Sequence, residues 1–305
     1  MKMYAAPLQG FTEAPWRNLH QELFGGIDAY YTPFVRIEKG AFRNKDVRDI
    51  APENNTVFRL VPQLIAATPA ELERLAGLFI ENGYKEADIN MGCPFPLMAG
   101  KHKGSGILPY PSEVEALLKE LPHYPELSFS VKMRLGWECA DEWRALLPLL
   151  NAAPLRQITL HPRVGKQQYK GMVDRTSFSA FYAECTHPLV YNGDVLTVDD
   201  IRRVEAAFPR LEGIMLGRGL LANPALAEKY VSGNALSTEA LYERVKALHA
   251  RLFQHYETCL QGDAQLLSKL KPYWEYLLPE ADRKIRKEIK KATTVGKYLA
   301  AVARL

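Results

Sequence analysis

The sequence has few cysteines and no closely spaced pair of them. Its four cysteines, Cys93, Cys139, Cys185 and Cys259, are scattered over 305 residues without a C-x-x-C motif. This spacing argues against a zinc site and against a disulfide framework, so we expect no metal and a reducing compartment. Any single thiol is then available for chemistry.

Long hydrophobic runs are also missing. No segment approaches the roughly 18 apolar residues that a membrane-spanning helix needs. The N-terminal stretch is interrupted by Pro7 and Gln9 and has neither the apolar core nor the cleavage pattern of a signal peptide. We therefore expect a cytoplasmic protein with no membrane association, and a monomer as the default oligomeric state.

Excess charge is small and is concentrated at one end of the chain. The formal net charge is +4, but residues 237–305 alone carry 13 Lys and Arg against 8 Asp and Glu. The surplus peaks in RKIRKEIKK, from Arg283 to Lys291, where Ile285 and Ile289 are spaced like one face of a helix. Such a run is either an ordinary solvated helix face or a surface that binds a phosphate backbone.

What the sequence does contain is a regular alternation of strand and helix patterns. Runs such as SVKMRL and GIMLG are mostly apolar, which is typical of parallel strands covered on both faces. Eight units in about 230 residues predict a (β/α)8 TIM barrel, and the strand count disfavours a doubly wound α/β sheet. The predicted strands are Met3–Gln9, Ala29–Val35, Arg59–Ala66, Glu86–Gly92, Phe129–Gly136, Gln157–Arg163, Pro188–Asp194 and Gly213–Gly219. Predicted helices between them include Pro69–Asn82, Pro111–Leu121, Glu142–Asn151 and Val198–Ala207.

The strand pattern stops after Ala235. Three helical patterns follow, Ser237–Leu260, Ala264–Leu278 and Asp282–Leu305, separated by Gly262 and Pro279. We therefore predict two domains, a barrel over residues 1–236 and a helical domain over residues 237–305.

Polar side chains recur where the predicted strands end. In a barrel these strand ends converge on one mouth, where active sites lie. Each residue alone could be a satisfied buried polar group, but their shared position is harder to explain in that way. The set comprises Gln9, Gln63, Asn90, Cys93, Lys132, Arg134, His161, Arg163, Asn192, Asp194 and Arg218.

Two glycine-containing turns and one loop add detail to this predicted site. The turns Tyr191-Asn-Gly-Asp and Leu216-Gly-Arg-Gly follow strands seven and eight, where barrels commonly bind a phosphate through backbone N–H groups. The loop AGKHKGSG follows Cys93 and could close over a substrate.

Seven short blocks, in order over about residues 4–225, resemble the tRNA-dihydrouridine synthase family. The resemblance implies an FMN-binding barrel, a helical tRNA-binding domain and NADPH as the reductant. Two departures are His161-Pro-Arg, where the family commonly has His-Gly-Arg, and Gly104-Ser-Gly-Ile-Leu, where it has a Gly/Ala-rich stretch. The second departure puts the fit of the substrate loop in question. The blocks are Ala6-Pro-Leu-Gln-Gly-Phe-Thr, Asp88-Ile-Asn-Met-Gly-Cys-Pro, Val131-Lys-Met-Arg-Leu-Gly-Trp, Leu160-His-Pro-Arg, Tyr169-Lys-Gly, Asn192-Gly-Asp and Met215-Leu-Gly-Arg-Gly-Leu-Leu-Ala-Asn-Pro.

The resemblance also implies roles for individual residues. Lys132 would stabilise the negative charge of the reduced flavin ring, and His161 would lie beside that ring. The isoalloxazine contacts would come from Pro7, Leu8, Gln9 and Gln63, and the ribityl phosphate contacts from Asn192, Gly193, Asp194, Gly217 and Arg218.

On the substrate side, the resemblance assigns Asn90 and Arg134 to binding of the uridine and Cys93 to catalysis. Cys93 would protonate C5 of the uracil as hydride reaches C6, a role that requires the thiol rather than the thiolate. Two alternatives stay open at this stage. One is an FMN barrel acting on a small pyrimidine, as dihydroorotate dehydrogenases do, and the other is a non-catalytic RNA-binding barrel.

Overall fold

In the computed structural model, which describes residues 1–305, parallel strands form a closed barrel. The sheet order is β5-β2-β1-β11-β10-β9-β8-β7-β6. Its two outer members, β5 (Leu60–Val61) and β6 (Gln63–Leu64), are halves of one predicted strand and flank Pro62, which has no N–H to donate. Because the third barrel strand pairs on both sides through its two halves, the barrel closes with eight strands, and the predicted fold class is confirmed.

The other barrel strands lie within or near their predicted ranges. They are β1 (Lys2–Ala5), β2 (Ala29–Tyr31), β7 (Glu86–Met91), β8 (Ser128–Gly136), β9 (Leu155–Val164), β10 (Leu189–Tyr191) and β11 (Gly213–Leu216). A small antiparallel hairpin, β3 (Ile37–Glu38) and β4 (Ala41–Phe42), stands apart from the barrel sheet.

Helices follow the strands and cover the outside of the barrel. Threonine caps fix two of the starts: Thr68 accepts a hydrogen bond from the Glu71 N–H, and Thr197 forms a reciprocal capping box with Asp200. The barrel helices are α1 (Ala14–Leu23), α2 (Asn44–Ile50), α3 (Pro69–Glu81), α4 (Pro96–Ala99), α5 (Pro111–Glu120), α6 (Trp143–Ala152), α7 (Arg175–Glu184), α8 (Val198–Ala207), α9 (Arg218–Ala222) and α10 (Leu226–Ser232).

Four α-helices occupy the C-terminal segment: α11 (Thr238–Cys259), α12 (Gly262–Leu270), α13 (Arg283–Lys291) and α14 (Val295–Val302). The predicted helix Ala264–Leu278 is wrong in its second half, because the chain tightens into a 3-10 helix at Lys271–Glu275, around Pro272. Gly262 begins a helix instead of separating two.

The single predicted helix Asp282–Leu305 is also wrong. It divides between Lys291 and Val295, because the Thr294 hydroxyl caps a new helix by accepting from the Lys297 N–H. The carboxylate of Asp263 accepts the Val295 N–H and fixes the same break.

Barrel and C-terminal helices share one continuous cluster of buried apolar side chains. It includes Trp16 and Leu226 from the first part of the chain and Leu248, Trp274 and Tyr298 from the last. The predicted boundary at residue 236 falls in the loop between α10 and α11. None of the helices combines the length and the apolar character that crossing a membrane requires.

Candidate active site

A cavity lies at the carboxyl ends of the barrel strands and opens toward solvent, with about 960 Å3 of empty space when its open mouth is included. Thirteen of the fifteen residues predicted from the sequence line it: Pro7, Leu8, Gln9, Asn90, Cys93, Lys132, Arg134, His161, Asn192, Gly193, Asp194, Gly217 and Arg218. The strands thus bring together side chains that are up to 211 positions apart in the sequence.

Two residues predicted at the mouth do not line the cavity. One is Arg163, which is buried and bonds to the lining residues His161 and Asp194; the other is Gln63. Gln63 is fully buried and lies behind Asn90, whose Nδ2 donates to Gln63 Oε1 at 2.7 Å. The Gln63 Nε2 in turn donates to Asp88 Oδ2 at 2.7 Å, and the Ser130 hydroxyl donates to Asp88 Oδ1 at 2.6 Å. The structure places Gln63 in contact with Asn90 and Asp88 instead of in the wall of the cavity.

This buried chain sets the direction of each amide group. Both oxygens of Asp88 accept hydrogen bonds, from Gln63 Nε2 and from the Ser130 hydroxyl, so the NH2 group of Gln63 faces Asp88 and the carbonyl of Gln63 faces Asn90. Asn90 therefore points its NH2 group at Gln63, and its Oδ1 accepts the N–H groups of Gly92 at 3.0 Å and Cys93 at 2.8 Å. One N–H of Asn90 remains for a ligand. Burial raises the pKa of Asp88, whereas the hydrogen bonds from Gln63 and Ser130 and the charge of Lys132 lower it.

Cys93 is held by its backbone, and its thiol stays protonated. Its N–H bonds to Asn90, and its carbonyl accepts from both the backbone N–H and the hydroxyl of Ser105 at 3.0 Å. Burial raises the pKa of the Cys93 thiol, against the opposing effects of the Phe95 N–H and the nearby Arg134 and Lys132. The arrangement suits a proton donor rather than a nucleophile.

The loop after Cys93 is packed against the barrel. Gly104, Ser105 and Gly106 are buried, and a Cβ on Gly106 would lie 2.3 Å from the Ala99 carbonyl oxygen. Gly104 has φ of +62°, which only glycine adopts easily. The part of the sequence that departs from the family pattern thus serves here to fix the Cys93 backbone.

Lys132 presents an unpaired cation to the cavity. Its ammonium group forms no ion pair and no hydrogen bond within the protein, and among the acidic groups around it Asp88 has the largest effect on its pKa. Burial and the neighbouring Arg134 lower the pKa of Lys132 to about 8, despite the opposing effect of Asp88 and Cys93. An unneutralised charge in such a place indicates an anionic ligand.

His161 is neutral and has a defined tautomer. The Arg163 guanidinium donates to His161 Nε2 at 3.2 Å, so the ring proton is on Nδ1. Burial, reinforced by the charges of Arg134 and Lys132, holds the pKa of His161 well below its usual range. His161 can therefore donate a hydrogen bond without adding charge.

Opposite Cys93, an acidic residue joins two arginines. Asp194 accepts from Arg163 Nη1 at 3.0 Å and from Arg218 Nη2 at 2.8 Å. Gly217 lies beside them, and a Cβ there would meet only Ala6 at 3.6 Å and Leu8 at 4.0 Å, so its backbone is open to the cavity. Asn192 is engaged elsewhere, since its Nδ2 donates to the Met215 carbonyl at 2.8 Å.

Arg134, predicted to bind substrate, holds loops together. It donates to three backbone carbonyls, those of Gly92 (2.9 Å), Val164 (3.0 Å) and Gln168 (2.8 Å). Its guanidinium also lies 5.7 Å from the ring centre of Tyr169, and Arg218 lies 4.5 Å from the same ring. Tyr169 thus lines the site between two cations, although sequence reasoning gave it no role beyond its place in a family block.

The C-terminal helices fix the loop that follows β1. Lys269 donates to the Gly10 carbonyl at 2.8 Å, and the Tyr273 hydroxyl donates to the Phe11 carbonyl at 2.5 Å. Tyr276 also packs edge-on against the Phe11 ring at 5.5 Å. Pro7–Gln9 therefore owe their position in the cavity wall partly to residues after position 260, a contact with no signal in the sequence.

Comparisons with known proteins agree with this geometry. The profile of the family described as dihydrouridine synthase (Dus) matches residues 4–304. The tRNA-dihydrouridine synthase B of Vibrio vulnificus is 25% identical over 289 residues, covering 93% of this chain and 84% of that protein. The protein of the same name from Escherichia coli K12 is 28% identical over 231 residues, covering 73% and 69%.

Solved structures show the same fold at low sequence identity. The old yellow enzyme homologue from Zymomonas mobilis superposes with a TM-score of 0.55 at 10% identity, covering 79% of this chain and 92% of that one. Morphinone reductase superposes with a TM-score of 0.51 at 12% identity, covering 79% and 88%.

Proposed function

The chain belongs to the dihydrouridine synthase family, and we propose that it reduces a uridine in tRNA with FMN as its cofactor and NADPH as its reductant. The two relatives described above carry tRNA in their names, and the cavity has the charge that an anionic cofactor requires. The family match also favours this substrate over a small pyrimidine of the dihydroorotate type. We retain the predictions of a cytoplasmic monomer and of a helical tRNA-binding domain over residues 237–305.

The unpaired ammonium of Lys132 is the observation that carries the cofactor proposal. Lys132, Arg134 and Arg218 line the cavity, with Asp194 as the opposing acidic residue. A flavin mononucleotide fits this distribution, with its ring near Lys132 and its phosphate near Arg218 and the open backbone of Gly217. Pro7, Leu8 and Gln9 would contact the ring from the β1 loop, and the neutral His161 would donate from Nδ1.

When bound and reduced, the flavin supplies hydride to C6 of the uracil. Asn90 would orient the base with the N–H that its bonds to Gln63, Gly92 and Cys93 leave available. Cys93 would then transfer its thiol proton to C5, and the raised pKa keeps that proton in place until the hydride arrives.

The basic helix α13 supports binding of a polyanion. Arg286 and Lys290 are engaged within the protein, with the Pro279 carbonyl and with Glu275. The other four cations of this helix, Arg283, Lys284, Lys287 and Lys291, form no ion pair and no side-chain hydrogen bond, so they remain available for phosphates.

One experiment tests the whole proposal. The purified protein should be yellow, and with NADPH it should form dihydrouridine in tRNA isolated from cells that lack this protein. Mass spectrometry of the digested tRNA would detect the product. A colourless protein that does not bind added FMN, or a flavin-loaded protein that leaves this tRNA unchanged, would refute the proposal.

A further inference from the structure

Large exposed apolar side chains are concentrated in the connections that leave the carboxyl ends of three barrel strands, and two of them line the cavity. Nine such side chains occur in the protein, and five of them lie in the connections after β7, β9 and β10, the first of which includes the short helix α4. We name these five the apolar rim: Phe95 (55% exposed), Leu97 (66%), Tyr169 (46%), Met172 (86%) and Leu196 (53%). Apolar side chains exposed together in this way indicate a binding surface.

The apolar rim adjoins the cavity, and hydrogen bonds connect two of the segments that carry it. Tyr169 and Leu196 line the cavity itself, and Phe95 directly follows Pro94, another lining residue. Arg134 bonds to the carbonyls of Gly92 and Gln168, so it ties the loop that carries Phe95 to the loop that carries Tyr169.

Unpaired cations alternate with the rim. Lys101 follows Leu97 in the same loop, and Lys170 lies between Tyr169 and Met172; both are exposed and form no ion pair. Aromatic and aliphatic side chains interleaved with lysines suit a single-stranded nucleic acid, whose bases stack while its phosphates meet the cations.

We propose that the apolar rim receives the nucleobases next to the target uridine and takes the place of that uridine in the RNA stack. The inference rests on the proposed function. A uridine inside a folded RNA must be unstacked before it can reach Cys93, and inserted apolar side chains are a known way to stabilise such a gap. Phe95 is the rim residue closest in sequence to Cys93, and its backbone N–H donates to the Cys93 thiol.

The test compares the double variant Phe95→Ala/Leu97→Ala with the matched control Phe58→Ala in the flavin-loaded, full-length protein. Phe58 is 68% exposed but precedes β5, at the opposite end of the barrel. The double variant should reduce tRNA about tenfold or more slowly in a single turnover, the loss expected for one base–aromatic stack. Flavin reduction by NADPH should be unchanged in the double variant, and Phe58→Ala should behave like the wild type in both reactions. The single variant Phe95→Tyr, which keeps an aromatic ring, should retain most of the wild-type rate of tRNA reduction.

Each other outcome contradicts the inference in a recognisable way. If the wild type reduces tRNA and the double variant is equally active, the proposed role of the apolar rim is refuted and the proposed function stands. Slower flavin reduction by NADPH would identify a nicotinamide site, and a change of mass in solution would identify a contact between copies. A wild type that binds flavin but reduces no tRNA would overturn the proposed function and the rim together.

Discussion

The cavity and the basic helix α13 are both rich in polar and charged groups but are built differently. Around Asn90, side chains are buried and bonded to one another, so each group points in one direction. On α13, four cations point into solvent without partners. Hydrogen-bonding groups held in one orientation in a buried site can stabilise a transition state. Exposed cations instead increase the affinity for a polyanion, and this contribution decreases as the salt concentration rises. Changes in the two regions should therefore affect different steps by different amounts.

Cys93→Ala should have the largest effect, because it removes the proposed proton donor. We expect a fall of about 100- to 10,000-fold in dihydrouridine formation, the usual contribution of a general acid. Reduction of the flavin by NADPH should continue, which stopped-flow absorbance can follow. Cys139→Ala, at an exposed cysteine, is the control. Equal tRNA reduction by wild type and Cys93→Ala would remove Cys93 from the mechanism.

Lys132→Gln should come next, because it removes the unpaired charge. Flavin reduction should slow by roughly 100-fold, as for loss of one directed charge in a buried site. In flavin-free protein the ammonium loses its proton as the pH rises through about 8, so FMN affinity should weaken above that pH. Fluorescence titration would show this dependence in the wild type and its loss in Lys132→Gln. A weakening above pH 8 that persists in the variant would contradict the assignment.

Asp88→Asn should have an intermediate effect, because it weakens the hydrogen-bonded support behind Asn90 without removing a contact to substrate. In the variant an NH2 group replaces one of the two oxygens that accept from Gln63 and Ser130, so Gln63 and the Asn90 Nδ2 bonded to it can shift, while Asn90 Oδ1 keeps the N–H groups of Gly92 and Cys93. We expect kcat for tRNA to fall roughly tenfold with a small change in KM. Asp46→Asn, at a buried carboxyl in α2, is the control. Unchanged kinetics in Asp88→Asn would show that Asp88 does not orient Asn90.

Changes on α13 should have the smallest effect on chemistry. When the logarithm of the tRNA association constant is plotted against the logarithm of the salt concentration, the slope should be about two units less steep in the triple variant Lys284→Gln/Lys287→Gln/Lys291→Gln. Single-turnover reduction at saturating tRNA should change little. Lys290→Gln is the control, because the Lys290 ammonium is already paired with the Glu275 carboxylate. A slower chemical step with an unchanged salt dependence of tRNA affinity would contradict the assignment of α13 to tRNA binding.

The parts that the sequence predicted are those controlled by periodicity and by strand ends. Apolar runs located all eight strands, and polar residues at their ends located nine residues of the cavity wall; the family resemblance added Pro7, Leu8, Gly193 and Gly217. Gln63 could not be placed in the same way, because the division of its strand at Pro62 and the contact with Asp88 depend on three-dimensional packing. The start of α14 depends on the Thr294 cap and on Asp263, which is 32 residues from Val295.

The contact between the C-terminal helices and the β1 loop was equally invisible in the sequence. Lys269 and Tyr273 bind Gly10 and Phe11 through backbone carbonyls, and backbone contacts leave no pattern in side-chain types. Removal of residues 237–305 would also expose the shared apolar core. Substitutions on the surface of α13 therefore test tRNA binding more cleanly than truncation does.

The most direct test of the central claim is the reoxidation of the reduced flavin by tRNA without oxygen. The protein is first reduced with NADPH and then mixed with tRNA that lacks dihydrouridine. We predict that the absorbance of oxidised flavin returns and that each flavin reoxidised yields one dihydrouridine. A flavin that stays reduced in the presence of this tRNA would contradict the account.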